Sequence, residues 1–260
     1  MPLPQDELTA LAARLDDAAL TATAVPQPTW PPGADTDDAY AVQSALMNRQ
    51  LARGERTVGL KMGLTSRAKM VQVGVSEVIW GRLTDRMRVP DGGAVDVSTL
   101  IHPRVEPEVA FLIGRDVLPG DDFASAVAAV APALEVIDSR YADFRFSLPD
   151  VIADNTSAAG FAIGPWQPPP TALANLGVLL EIDGRVVQTG STAAILGDPR
   201  RAFEEAVRLA GRQGVRLREG WVLLAGAATA AVPLAPGAQV RAVVEGLGTA
   251  SLSAKGDDRA

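Results

Sequence analysis

In Ile101-His-Pro-Arg-Val-Glu-Pro-Glu-Val-Ala-Phe-Leu-Ile113, apolar residues take every second position from Val105 to Ile113. That alternation predicts a strand and places Arg104, Glu106, Glu108 and Ala110 on one face. Two carboxylates on one face repel each other unless water solvates them or a cation bridges them. A hard divalent cation is the economical bridge, because Mg²⁺, Mn²⁺ and Ca²⁺ prefer oxygen ligands. A half-exposed sheet with both glutamates in water is the simpler alternative. Glu-x-Glu alone does not choose between the two.

Other strand-like runs surround this one: Thr57–Gly63, Ala133–Asp138, Val178–Ile182, Val186–Gln188, Trp221–Leu224 and Val240–Val244. Asp183-Gly184 between two of them is a two-residue hairpin signal. Helical inserts are expected near Ser66–Val73, Phe123–Val130 and Pro199–Arg212. Long strand–helix–strand alternation and a glycine-rich fingerprint are both missing, so the pattern predicts an α+β fold with a mixed β-roll. Ahead of it, Leu8, Leu11, Leu15 and Leu20 recur at helical spacing, and prolines then break the chain between Val25 and Gly33. A second helix is expected from about Asp37 to Arg53, with Tyr40, Val42, Ala45, Leu46 and Leu51 as its apolar side. Whether these helices are an appendage or part of the core stays open at this stage. The end, Lys255–Ala260, reads as a frayed tail.

Composition narrows the chemistry. A chain of 260 residues buries roughly 70% of its unfolded surface, so a large core is available. With 31 acidic residues against 24 basic ones, the net charge of −7 argues against a nucleic-acid groove. Cysteine is absent and His102 is the single histidine, which excludes thiolate and paired-histidine metal sites. The first ten residues lack the order of a secretory signal. The apolar run Ala124–Val136 is too short to span a bilayer and holds Pro132 and Glu135. A cytoplasmic protein without a membrane segment is expected.

Glu135 interrupts that apolar run, where a carboxylate needs a partner, a metal, or an outward-facing position. Three carboxylates without histidine or cysteine suit Mg²⁺ or Mn²⁺ with open coordination positions. Lys61 is one of three lysines and lies in the glycine-punctuated run Val58–Thr65. Such a lysine either meets an anionic substrate or lays its stem along apolar surface with its head in water. Arg104 and Arg140 are candidate anion partners or structural ion pairs.

The ordered motifs Gly59-Leu-Lys-Met-Gly-Leu-Thr-Ser66, Gly74-Val-Ser-Glu-Val-Ile-Trp-Gly81, His102-Pro-Arg-Val-Glu-Pro-Glu108, Ala133-Leu-Glu-Val-Ile-Asp-Ser-Arg140 and Val151-Ile-Ala-Asp-Asn-Thr-Ser157 carry a family resemblance. Together they resemble the hydratase/decarboxylase branch of the fumarylacetoacetate hydrolase superfamily, over roughly residues 56–253. The resemblance implies a mixed β-sandwich roll of the C-terminal type found in that superfamily, with N-terminal helices, binding Mg²⁺ or Mn²⁺. It implies one catalytic domain: a helical region over 1–55, a metal-binding core over 56–253 and a tail over 254–260. The branch's metal glutamates fall on Glu106, Glu108 and Glu135, and its motif lysine on Lys61. Its Ala-Asp-Asn-x-Ser turn puts Asp154, Asn155 and Ser157 at substrate-binding positions.

Gly81-Arg-Leu-Thr-Asp-Arg-Met87 and Ile137–Asp150 resemble the branch's decarboxylases of unsaturated 2-oxo dicarboxylic acids such as 4-oxalocrotonate. Hydratases resembling this chain carry an aspartate where it has Ile79. A hydratase must deliver water and a proton. A decarboxylase gains from a water-poor site, and Ile79 with Trp80 would wall one. The resemblance therefore implies a decarboxylase, with a 2-oxopent-4-enoate hydratase and a catalytically silent partner-binding subunit as alternatives. It also implies a homo-oligomer and a possible complex with such a hydratase. Leu224-Ala-Gly226 and Leu196-Gly-Asp-Pro199 depart from the branch's usual Leu-Thr-Gly and Leu-Gly-His-Pro, which bears on substrate range.

Overall fold

The computed structural model describes residues 3–31, 33–66 and 77–256. Helix α1 (Gln5–Thr21) buries Leu8, Ala12 and Leu15 as one stripe and carries Asp6 and Glu7 in its first turn, at the positive end of its dipole. Helix α2 (Thr36–Ala52) begins at a capping box between Asp35 and Asp38. Asp16 of α1 is buried and receives Arg49 at 2.8 Å and Arg53 at 2.6 Å from α2. Removing either arginine would weaken the compensation of a buried charge, so this clamp fixes the helix pair.

Ala39 and Tyr40 of α2 share one apolar cluster with Trp80 and Phe111, so the N-terminal helices belong to the core. Two expected apolar contacts differ. Leu20 is 62% exposed in the last turn of α1. Leu51 is only half-buried, while Ala45 packs on the α1–α2 cluster and Gln43 and Met47 take the inner side of α2.

Thirteen strands form two mixed sheets among the described residues. In chain order the first seven are β1 (Thr57–Gly63), β2 (Ile79–Thr84), β3 (Arg88–Val89), β4 (Ala94–Asp96), β5 (Arg104–Ile113), β6 (Val127–Ile137) and β7 (Ala158–Ile163). They continue as β8 (Gly177–Ile182), β9 (Arg185–Ser191), β10 (Val222–Ala227), β11 (Val232–Pro233), β12 (Gln239–Val244) and β13 (Gly248–Lys255). The large sheet runs β2-β1-β10-β5-β6-β7-β3, with β11 on β5; the small one runs β4-β13-β12-β8-β9. Val105, Leu134 and Val136 of the large sheet pack with Leu180, Val240 and Leu252 of the small one. The expected α+β architecture is present.

Short helices α3 (Phe123–Ala126) and α4 (Leu148–Ala153) precede β6 and β7. The longer α5 (Arg200–Arg212) adds Phe203 and Ala206 to the cluster that holds Leu60 and Leu223. Asp183 and Gly184 turn the β8–β9 hairpin with φ of 52° and 74°, as the dipeptide predicts. The insert expected over Phe123–Val130 is helical only to Ala126, because from Val127 the chain pairs with β5. An alanine-rich run satisfies either conformation locally, and the neighbouring strand decides. Lys255 closes β13 and is not frayed. The insert expected at Ser66–Val73 lies, beyond Ser66, outside the described residues.

Candidate metal centre and active-site cavity

Glu106 on β5 stands directly opposite Glu135 on β6, and Glu108 lies two residues along the same face. All three are buried, and an oxygen from each lies within 4.8 Å of the others. The solvated-face alternative is thereby removed: these carboxylates point into the protein. Glu108 Oε2 accepts the Gly226 N–H at 2.8 Å. Among the described residues, Glu108 Oε1 and Glu135 Oε1 have no hydrogen-bond partner. Leaving buried carboxylate oxygens unpaired is unfavourable by several kcal/mol in order of magnitude, so the geometry calls for a cation. An all-carboxylate donor set with hard oxygens fits Mg²⁺ or Mn²⁺.

Burial, then repulsion from Glu135 and Glu106, pushes the Glu108 carboxyl well above the ordinary carboxylate range. Burial likewise raises Glu135, against the pull of the Lys61 ammonium. For Lys61 burial acts downward, but Glu135, Glu106 and Glu108 together outweigh it and hold the amine above its usual range. These carboxylates favour the ammonium form of Lys61, a hydrogen-bond donor.

Lys61 Nζ lies 3.0 Å from Glu135 Oε2 and donates to the Thr156 carbonyl at 3.1 Å. The snorkelling alternative fails, since Lys61 is 2% exposed. Asn155, Thr156 and Ser157 are three successive non-glycine residues with φ of 47°, 54° and 57°. Each left-handed residue costs about 1–3 kcal/mol, and the run is held because neighbours fix it. Asn155 accepts from Arg82 N–H at 2.7 Å and donates to Arg82 C=O at 2.9 Å. Thr156 Oγ1 and Gln43 Nε2 both donate to the Trp80 carbonyl, at 2.9 and 3.0 Å, while the Tyr40 hydroxyl accepts from Trp80 N–H at 3.3 Å. Gly81 permits the approach, because a Cβ there would sit 2.6 Å from the Asn155 carbonyl oxygen.

These elements enclose a cavity of about 1040 Å³, lined by Lys61, Glu106, Ile79, Ser157, Arg104 and Phe144 among others. Ile79 is buried and faces it. Trp80 does not share that wall: successive side chains on β2 point to opposite faces, and Trp80 stacks on Tyr40 at 5.2 Å. Ser157 lines the cavity with an Oγ that has no hydrogen-bond partner among the described residues. Asp154 and Asn155 have other engagements. Asp154 is buried against Arg140, and burial pushes its carboxyl up to about 6 although the guanidinium opposes this. Asn155 is engaged by β2.

Several residues of the site escaped sequence reasoning. The Thr156 carbonyl and the Gly226 N–H are backbone groups, which no side-chain motif announces. Gly226 has a signal in hindsight: it has φ of 112°, and a Cβ there would lie 2.1 Å from Thr65 Oγ1. Phe144, Arg145 and Phe146 line the cavity from a loop without periodicity.

Residues 65–252 match the family described as fumarylacetoacetate (FAA) hydrolase, C-terminal. A 4-oxalocrotonate decarboxylase of Pseudomonas sp is 51% identical over 255 residues, spanning 96% of this chain and 99% of that protein. The solved structure of 4-oxalocrotonate decarboxylase from Pseudomonas putida G7, complexed with magnesium and adipate, matches with a TM-score of 0.92 at 39% identity. It covers 97% of this chain and 98% of that one. A 2-keto-4-pentenoate hydratase of Paraburkholderia xenovorans (strain LB400) is 37% identical over 224 residues, spanning 84% of this chain and 83% of that protein. Because the matched region contains all three carboxylates and the turn beside them, and the likeness runs through the rest of the chain, the protein belongs to the fumarylacetoacetate hydrolase family.

Proposed function

We propose that the protein is a metal-dependent carboxy-lyase converting 4-oxalocrotonate (2-oxo-3-hexenedioate) to 2-hydroxypenta-2,4-dienoate and CO₂, in the catabolism of aromatic compounds by meta-cleavage. The observation that carries this reading is a single cavity bringing Lys61 and Glu106 together with the apolar Ile79, in a chain half-identical to a decarboxylase over nearly its whole length.

Glu106, Glu108 and Glu135 hold the cation in this reading. Once bound, Mg²⁺ or Mn²⁺ supplies a Lewis acid at the substrate's 2-oxo acid end. Decarboxylation breaks the C5–C6 bond. Its electron pair forms C4=C5, the C3=C4 pair moves to C2=C3, and the C2 oxygen takes the charge until it is protonated. Lys61, kept as an ammonium, donates a hydrogen bond to the oxygen on which that charge collects. Ile79 keeps water from the dienolate. Ser157 offers its free hydroxyl to the substrate. Asp154 and Asn155 act at one remove by holding the turn that carries Thr156 and Ser157.

The hydratase alternative needs an acid–base group that delivers water, and β2 presents Ile79 at that position. A silent subunit would have no use for a buried carboxylate triad. The whole chain acts as one catalytic domain in this reading. The enzyme is cytoplasmic and self-associating, and hands its reactive dienol to a 2-oxopent-4-enoate hydratase. Incubation with Mg²⁺ and 4-oxalocrotonate tests the reaction, with CO₂ and the dienol followed separately. Equal release of both is expected. Hydration of added dienol with the dicarboxylate untouched would establish the hydratase, and inertness toward both the silent subunit.

A further inference from the structure

Arg104 and Arg140 have different fates. Arg140 is locked in a buried ion pair with Asp154. Arg104 is half-buried on the cavity wall, and among the described residues no carboxylate pairs with it. Its guanidinium lies 4.6 Å over the centroid of the Phe144 ring. Phe144 is held beneath it with some effort: Asp143 and Phe144 have φ of 59° and 55°, a backbone state that bulky residues avoid. The ring is braced by Phe146 at 5.5 Å and by His102, edge-on, at 6.2 Å.

Arg104 precedes Glu106 by two residues on the same face of β5, a displacement of about 7 Å along a strand. Both side chains line the same cavity, so a 2-oxo acid end near Glu106 and a far carboxylate near Arg104 would share one chamber. A guanidinium with no carboxylate partner among the described residues, lying over an aromatic ring and partly shielded from water, presents a planar fork that matches a carboxylate.

We infer that Arg104, seated on Phe144, binds the far carboxylate of a 2-oxo dicarboxylic acid and makes the protein select dicarboxylates over monocarboxylates. This rests on the substrate class proposed above. An ion pair to the departing carboxylate weakens as its charge flows toward the 2-oxo end, so Arg104 favours the ground state at least as much as the transition state. Its contribution therefore lies in KM and selectivity, not in kcat.

The test compares binding of 2-oxoadipate and 2-oxopentanoate to the Mg²⁺-loaded protein by calorimetry. The two share the 2-oxo acid end and differ only in the far carboxylate. Neither has the double bond that would accept the electrons of a departing carboxylate. The wild-type protein should prefer 2-oxoadipate by about ten- to a hundredfold, the range of a charged hydrogen-bonded contact. Arg104→Gln should erase that preference by weakening 2-oxoadipate alone, with 2-oxopentanoate within about twofold. Arg104→Lys, which keeps the charge on a flexible stem, should retain part of it. Unchanged 2-oxoadipate affinity in Arg104→Gln would overturn the inference. So would equal weakening of both ligands, or loss of the preference in Arg145→Gln instead. Because neither ligand turns over, a failed decarboxylation assay combined with intact discrimination would discard the reaction and leave Arg104 in place.

Discussion

Lys61 Nζ lies 3.0 Å from Glu135 Oε2, so one carboxylate is shared between the cation site and the lysine. The ammonium is held on its other side by the Thr156 carbonyl. This arrangement separates two roles that a variant can tell apart. Lys61→Met should lower kcat/KM by about two to four decades if the ammonium acts on charge or protons in the transition state. Its affinity for Mg²⁺ should not fall, because a positive neighbour has been removed. A loss confined to KM would mean that Lys61 binds substrate and transition state equally.

The triad itself is tested without substrate. Glu108→Gln keeps volume and can still accept from Gly226 N–H, but it removes a carboxyl that burial and two acidic neighbours disfavour in ionised form. The metal-free variant should melt at a higher temperature than metal-free wild type, while Mg²⁺ should no longer raise its midpoint. Calorimetric scans with EDTA and with Mg²⁺ read both effects. A variant still stabilised by Mg²⁺ like the wild type would remove Glu108 from the site.

The same groups set a pH dependence. Glu108 and Glu135 have raised folded pKa values, so their contribution to stability is complete below the ordinary carboxylate value of about 4.3 and is lost as pH rises through the raised ones. With EDTA present, the melting temperature should therefore fall as the pH rises above the ordinary carboxylate value. Asp154, raised to about 6, adds a slope of the same sign. Saturating Mg²⁺ needs the triad ionised, releases its protons and should flatten most of that slope. Equal slopes in both conditions would show that the triad carries no linked protons.

Ile79 is the position where reaction type is tested. Ile79→Asp places another carboxylate in the cavity that holds Glu106, near a departing anion, and admits water with it. Decarboxylation should fall by about tenfold or more, and Ile79→Asn, polar but uncharged, should lose less. Turnover unchanged in both variants would leave Ile79 as ordinary packing.

Legibility followed the range of the interactions. Period-two alternation put Glu106 and Glu108 on one face, and Glu135 stood out against an apolar run. Both signals are local, and both survive in the structure. Residues whose roles depend on what lies across the fold were opaque. Asp154 and Asn155 meet Arg140 and β2, and Trp80 meets Tyr40, through pairings that no local pattern encodes. The stretch Phe123–Val130 is ambiguous for another reason: short alanine-rich runs have no strong period, and β5 settles the matter by pairing with it.

The bonds to Trp80 and Arg82 also guard the protein against its own kind. β2 is an edge strand of the large sheet, where unpaired backbone groups ordinarily invite another chain to add a strand. Here Asn155 copies a strand neighbour at Arg82, while Tyr40, Gln43 and Thr156 close Trp80. The border is sealed by side chains, so the cavity wall that Ile79 lines can stand at the sheet's margin without being sticky. Asn155→Ala would unseal Arg82, and concentration-dependent association in sedimentation, beyond that of the wild-type protein, should accompany the fall in turnover that loosening the Thr156–Ser157 turn causes.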